Sequence, residues 1–259
     1  NEKEQTWPYY SFYLYEDPLI DFSKRPEVQS YTQNSKSALF NGMIHPIIPY
    51  NIKGSIWYQG ENNVSRFKEY ETLFPAMIKD WRKKWSSDFP FYFVQIAPFK
   101  NYNGLSSSLR NVQRKTLKVE KTGMVVTLDI GEIDDIHPSN KHDVGYRLAG
   151  LALSNDYGKP MVASGPLYEN FEVSGNKLIV TFDFVGSGLT SYDKELAAFE
   201  IAGADKKYVT AKAYIENNKV YIYSSKIQNP KYARYAWKDT SVASLFNKEG
   251  LPASTFTTE

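Results

Sequence analysis

The chain has 259 residues, 31 basic against 29 acidic side chains for a formal net charge of +2, 42% hydrophobic and 15% aromatic residues, and no cysteine. That length suits one large domain or two ordinary ones, and the apolar share excludes a disordered chain. Balanced charge without long runs of one sign argues against a nucleic-acid or membrane-surface partner, and the missing cysteines remove disulfides, thiolate metal sites and cysteine nucleophiles.

No apolar run approaches the roughly 20 residues of a membrane helix. The sequence starts at Asn1 with neither Met nor a signal peptide, which reads as a processed form or a fragment. Its 20 tyrosines and 5 tryptophans suit sugar-stacking surfaces and ordinary sheet cores equally.

Residues 1–36 show no sustained period and are broken by Pro8, Pro18 and Pro26, so they read as an irregular lead-in. Residues 37–50 read as a short amphipathic helix ended by Pro46 and Pro49. A β-prone run, Ile52-Lys53-Gly54-Ser55-Ile56-Trp57-Tyr58, then stops abruptly on Gln59-Gly60-Glu61-Asn62-Asn63. Polar groups at the carboxyl end of a strand lie where open α/β sheets bind ligands. The other reading is a helix cap made by Asn62 or Asn63.

Phe67, Tyr70, Phe74, Met77 and Trp81 then recur at helical spacing, with Pro75 as an expected kink. A strand over 91–97, a helix capped by Ser106, Ser107 and Ser108, a strand over 124–130 and a helix over 141–154 follow. This alternation predicts a mostly parallel α/β sheet. Near residue 160 the pattern changes to short alternating strands over 177–184, 197–202, 209–216, 219–225 and 233–237. Asn217-Asn218 suits a tight hairpin. The expected organisation is an α/β domain over 37–159 followed by an all-β sandwich over 160–259.

Three histidines are present. His45 lies in an apolar run and reads as a packed side chain, and His142 reads as a solvated residue at a helix start. His137 lies in Asp129-Ile130-Gly131-Glu132-Ile133-Asp134-Asp135-Ile136-His137-Pro138, directly after a strand. A carboxylate two or three residues before a histidine can accept its ring N–H and stabilise the imidazolium during proton transfer. A loop capping the next helix through Ser139 or Asn140 is the structural alternative. Metal binding is disfavoured, because His137 and His142 flank Pro138 and do not share a helix face.

These loops resemble the sialate O-acetylesterase-like family of SGNH-type carbohydrate esterases. The resemblance rests on Phe40-Asn41-Gly42-Met43-Ile44, Ile52-Lys53-Gly54, Trp57-Tyr58-Gln59-Gly60-Glu61 with Asn63, Phe91-Tyr92-Phe93-Val94-Gln95, Leu109-Arg110 with Gln113-Arg114, and Asp135-Ile136-His137-Pro138 with Lys141. It implies a partial SGNH-like parallel sheet and a serine esterase acting on acetylated sugars or glycans, without cofactor or metal. His137 would be the base and then the acid. The SGNH spacing selects Asp134 as its partner, and the Asp-Ile-His-Pro form selects Asp135. Gln59, Gly60, Glu61 and Asn63 would lie in the oxyanion and substrate-binding region. Arg110 would be a substrate-carboxylate or supporting contact, with a helix-surface arginine as the alternative.

The family nucleophile is a Ser in a Gly-Gln-Ser-Asn-like block, and that block is missing from this sequence. A nucleophile-bearing amino-terminal segment of the same protein is therefore the expected partner, and the chain alone is expected to be inactive. The family's role implies a periplasmic or secreted location. A non-catalytic carbohydrate-binding or interaction module is the competing reading.

Overall fold

The computed structural model describes Thr32 and residues 35–259, so the lead-in expected over 1–36 lies almost wholly outside the described residues. Contacts divide the chain into two units: residues up to Ile52 with Arg82–Ser87, and Lys53–Trp81 with Asp88–Glu259.

In the first unit, the helix expected over 37–50 is not a regular α-helix. It is a π turn, Phe40–Ile44, followed by a 3-10 turn, His45–Ile47, and neither turn buries a residue. Pro46 offers no backbone N–H, which stops an α-helical ladder from passing through it. Lys84 Nζ lies 5.1 Å from the Phe40 ring centroid, and Trp85 Nε1 donates to the Tyr50 carbonyl at 3.0 Å.

The second unit contains a three-stranded sheet, β1 (Ser55–Trp57), β2 (Phe91–Val94) and β3 (Thr122–Val125), in the order β1-β2-β3 with both pairings parallel. Every β2 residue is buried, as a strand covered on both faces requires. Helices α1 (Phe67–Trp85), α2 (Ser106–Lys115) and α3 (Lys141–Asn155) supply the connections and cover. Alternation along β2 divides the core. Phe91 and Phe93 meet Phe74 of α1 with ring centroids 6.0 and 5.1 Å apart, while Tyr92 and Val94 join Val125, Val144, Leu148 and Leu151 against α3. Each such aromatic side chain contributes about 1.5–3 kcal/mol on burial. The stripe on α1 is as expected except that Ile78 joins Tyr70 and Phe74 in the core, and Pro75 is accommodated within the helix.

After α3 the chain is built of antiparallel strands. β4 (Leu167–Ser174) and β5 (Lys177–Asp183) precede β6 (Leu189–Thr190), β7 (Phe199–Ala202) and β8 (Val209–Thr210). β9 (Lys212–Glu216), β10 (Lys219–Tyr223), β11 (Tyr232–Tyr235), β12 (Phe246–Asn247) and β13 (Phe256–Thr257) complete the set. The sheets run β4-β5-β10-β9 and β13-β11-β7-β8, with β12-β6 as a separate pair. Asn217 and Asn218, at φ 52 and 57, form the expected turn between β9 and β10. The strand expected over 209–216 instead breaks at buried Ala211, whose N–H goes to the Phe199 carbonyl. β8 thus pairs in one sheet and β9 in the other.

Candidate active site

All three parallel strands end on the same side of their sheet, so the loops after β1 and β3 emerge at one edge. The chain leaves β1 through Tyr58, Gln59 and Gly60. Gly60 has φ 155, and a Cβ there would lie 2.9 Å from Ile96 Cγ2 and 3.1 Å from Gln113 Nε2. Only glycine permits that approach. Gln113, fully buried on α2, links the strand ends: its Nε2 donates to the carbonyls of Gln59 (3.3 Å) and Val94 (3.2 Å), and its Oε1 accepts from Ile96 N–H at 2.9 Å. One side-chain amide thereby replaces the sheet ladder where β1 and β2 diverge.

The 3-10 turn Glu61–Arg66 follows, with no side-chain cap, so neither Asn62 nor Asn63 closes it. Asn63 Oδ1 instead accepts from Gln59 Nε2 at 2.7 Å, while Gln59 Oε1 accepts from the Tyr70 hydroxyl at 3.3 Å. The Gln59 amide is therefore held at both ends.

The loop after β3 is secured by the carboxylates that surround His137 in sequence. Asp129 forms a two-pronged pair with Arg147 at 2.8 and 2.5 Å, in a half-buried position. At Gly131 a Cβ would come within 2.5 Å of Pro98 Cδ, so glycine lets the loop cross the Ala97-Pro98 backbone closely. Glu132 accepts from Ser139 N–H and Oγ at 2.6 and 2.5 Å. Asp134 pairs with Lys100 at 2.6 Å, with both side chains largely in water. Asp135 Oδ1 accepts the backbone N–H of His137 at 2.8 Å.

None of the four carboxylates holds the exposed His137 ring, which makes no hydrogen bond among the described residues. Asn140 caps α3 by accepting Asp143 N–H at 3.1 Å, so the capping alternative is realised beside the histidine. His142, paired with Asp143, is solvated as expected.

The two Ser139 bonds hold the Glu132 carboxyl below its ordinary 4.5. A lowered folded-state value means that this tether is fully present above about pH 4.5 and is lost as pH falls through the folded value. Amide exchange across residues 132–139 is expected to accelerate in acid below that range, and Glu132→Gln should abolish the acid dependence.

Tyr58 brings the two loops together. Its ring packs with Ile130 on the core of Tyr92, Val94, Val125 and Val144, and Lys141 Nζ lies 5.5 Å from its centroid. Lys141 Nζ in turn donates to the Pro138 carbonyl, next to His137. Burial, reinforced by Glu61, pushes the Tyr58 hydroxyl up to about 12, so it stays protonated at neutral pH.

Residues 27–154, which include both loops, match the family model described as carbohydrate esterase, sialic acid-specific acetylesterase. Over those residues the chain is similar to this carbohydrate esterase family. It is 32% identical over 193 residues to sialate O-acetylesterase of Mus musculus, covering 65% of this chain and 36% of that protein. The Homo sapiens sialate O-acetylesterase is 32% identical over 179 residues, covering 60% of this chain and 34% of the relative. A solved carbohydrate acetylesterase from Xanthomonas citri superimposes with a TM-score of 0.83 at 38% identity, over 86% of this chain and 54% of that one. The chain thus spans about a third of the length of these curated relatives.

Arg110 requires a correction. It is neither a helix-surface arginine nor placed to meet a substrate, because it is fully enclosed. Its Nε donates to Thr255 Oγ1 at 2.9 Å, and its Nη2 donates to the carbonyls of Ala236 (2.9 Å) and Lys238 (2.8 Å). Burial pulls its pKa down to about 10 against the opposing pull of Asp239, leaving it charged at neutral pH.

Asp239 also closes the start of α2, accepting from Gly104 N–H (2.6 Å), Ser106 N–H (3.1 Å) and Ser106 Oγ (2.6 Å). The cap expected from the serine run thus comes from a carboxylate 133 residues away. Tyr58, Gln113, Lys141 and Asp239 had no role assigned from sequence. A side-chain amide or aromatic that joins distant loops leaves no periodic or local signature.

Proposed function

We propose that this chain supplies the acid/base and oxyanion parts of a carbohydrate O-acetylesterase of the sialate type, with the nucleophilic serine outside the chain. The observation that carries this reading is the meeting, at one edge of the parallel sheet, of the Gly60 turn and the His137 loop through Tyr58 and Lys141. His137 takes the serine proton during attack on the acetyl carbonyl. The negative charge then developing on the carbonyl oxygen is stabilised by the Gln59 amide and the Gly60 N–H. His137 next donates its proton to the departing sugar oxygen, and water repeats the sequence to release acetate.

Asp135, already bonded to the His137 backbone, is the better-supported orienting acid. Asp134 is drawn into a surface pair with Lys100. Ser55 and Ser65 suit the nucleophile role poorly. Ser55 is ladder-paired inside β1, Ser65 lies in the exposed part of a 3-10 turn, and neither has a glycine-flanked turn to present its hydroxyl.

The test is acetate release from acetylated oligosaccharides by this chain and by the longer protein. Activity is expected only in the longer protein. Turnover by the chain itself, lost on His137→Ala, would place the serine within it and overturn that part of the proposal. In the active protein, Gln59→Ala should lower kcat by about 10²–10³-fold. Asp135→Asn should lower it by up to about 10⁴-fold, with a far smaller effect from Asp134→Asn. The reverse order would reassign the acid.

A further inference from the structure

A second concavity, separate from the candidate active site, lies where β3 begins. Its volume is about 1040 Å³, and its wall includes Thr122 and Met124 of β3, the carboxyl end of α2, the end of α3 and the start of β4. The loop that carries His137 leaves the opposite end of that strand. Arg114, on the last turn of α2, projects into this wall.

The guanidinium of Arg114 is held in one plane. Its Nε and Nη2 both donate to Asn111 Oδ1, at 3.2 and 2.9 Å. Its Cζ lies 5.4 Å from the Tyr168 ring centroid, and Tyr168 is itself stacked on Phe256 at 5.0 Å and 11°. The remaining fork edge, Nη1 with the second Nη2 hydrogen, has no hydrogen-bond partner among the described residues.

Other half-buried arginines in this chain are neutralised differently. Arg147 is paired with Asp129, and Arg234 with Glu200. Arg114 has no carboxylate partner, and burial lowers its pKa with only Tyr168 opposing. A partly desolvated cation without an anion is costly, whereas a planar fork left open suits a two-point carboxylate contact.

We propose that this groove binds an oligosaccharide bearing a single carboxylate, with Arg114 receiving the acid group. Asn155 in the wall offers a partner for sugar hydroxyls. Ser154 Oγ, which donates to the Met161 carbonyl, can still accept, and Thr258 Oγ1, which accepts from Ala233 N–H, can still donate. The exposed Met161, Val162 and Phe184 suit the C–H faces of sugar rings. Glu169 and Asp183 also line the groove, while Glu259 is engaged by Lys206 and Tyr208. Lys115, paired with Glu71, and Lys118 line it as well, so Glu169 and Asp183 offset the lysines and leave Arg114 as the one surplus cation, which is why one acid group is specified.

The test is calorimetric titration of the chain with a trisaccharide, glucuronosyl-xylobiose, and with its methyl ester. The acid is expected to bind at one site, with affinity falling by about 10–100-fold on esterification and by a similar factor in Arg114→Gln. His137→Ala, at the other edge of the sheet, should leave that affinity unchanged, which separates this groove from the proposed esterase site. Equal binding of acid and ester, no binding at millimolar concentration, or full affinity in Arg114→Gln would overturn the proposal. Should Arg114→Gln fail to fold, the Arg114 side-chain NMR signal of the unsubstituted chain provides the second reading. It should move with the acid and stay in place with the ester, and any other pattern counts against the site.

Discussion

Replacing Arg110 by methionine should lower the unfolding free energy by about 3–5 kcal/mol. The methionine would fill much of the space but would remove a charged donor from the carbonyls of Ala236 and Lys238 and from the Thr255 hydroxyl, leaving Ala236 O with Thr255 Oγ1 at 3.4 Å and Lys238 O with Ser241 N–H at 3.2 Å. A hydrogen bond to a charged group contributes about 1.5–3 kcal/mol. The loss should also weaken the docking of α2, whose Leu109 and Gln113 back the Gly60 turn. Equilibrium urea denaturation measures the effect. Thr255→Val, which removes one of the three partners, should cost about 1 kcal/mol by comparison. A change below about 1 kcal/mol for Arg110→Met would show that the link between α2 and the carboxyl-terminal strands contributes little net stability.

His137→Ala in the longer, active protein should reduce kcat for acetyl-ester hydrolysis by on the order of 10⁴-fold or more, with little change in KM. The ring is exposed and unbonded, so the same substitution should change folding stability by no more than about 0.5 kcal/mol. That combination separates a catalytic role from a structural one. A lowered kcat accompanied by an equal loss of stability would indicate damage to the loop, and an effect confined to KM would assign His137 to binding. Tyr58→Phe gives a useful contrast, since it retains the ring that spans the two loops and removes only the hydroxyl.

The sequence by itself determined the elements with a strong local signal. The apolar run of β2, the 3.6-residue stripe of α1, the Asn217-Asn218 turn and the change from helices to short strands after α3 all follow from side-chain pattern and backbone preference. Abrupt polar endings on apolar runs also marked Gln59-Gly60 and the His137 loop as neighbours at one sheet edge, because parallel strands end on the same side.

Tertiary structure alone decided how the polar groups were used. Near His137, spacing singled out Asp134 and Asp135 but did not choose between them. Folding commits Asp129 to Arg147, Glu132 to Ser139, Asp134 to Lys100 and Asp135 to the backbone of His137. It also encloses Arg110, whose helical position alone was compatible with the surface, and brings Asp239 to the start of α2. Local periodicity specifies which face of an element is apolar. It carries no information on which distant oxygen or nitrogen will meet a given charge, because that depends on chain segments brought together only when the core closes.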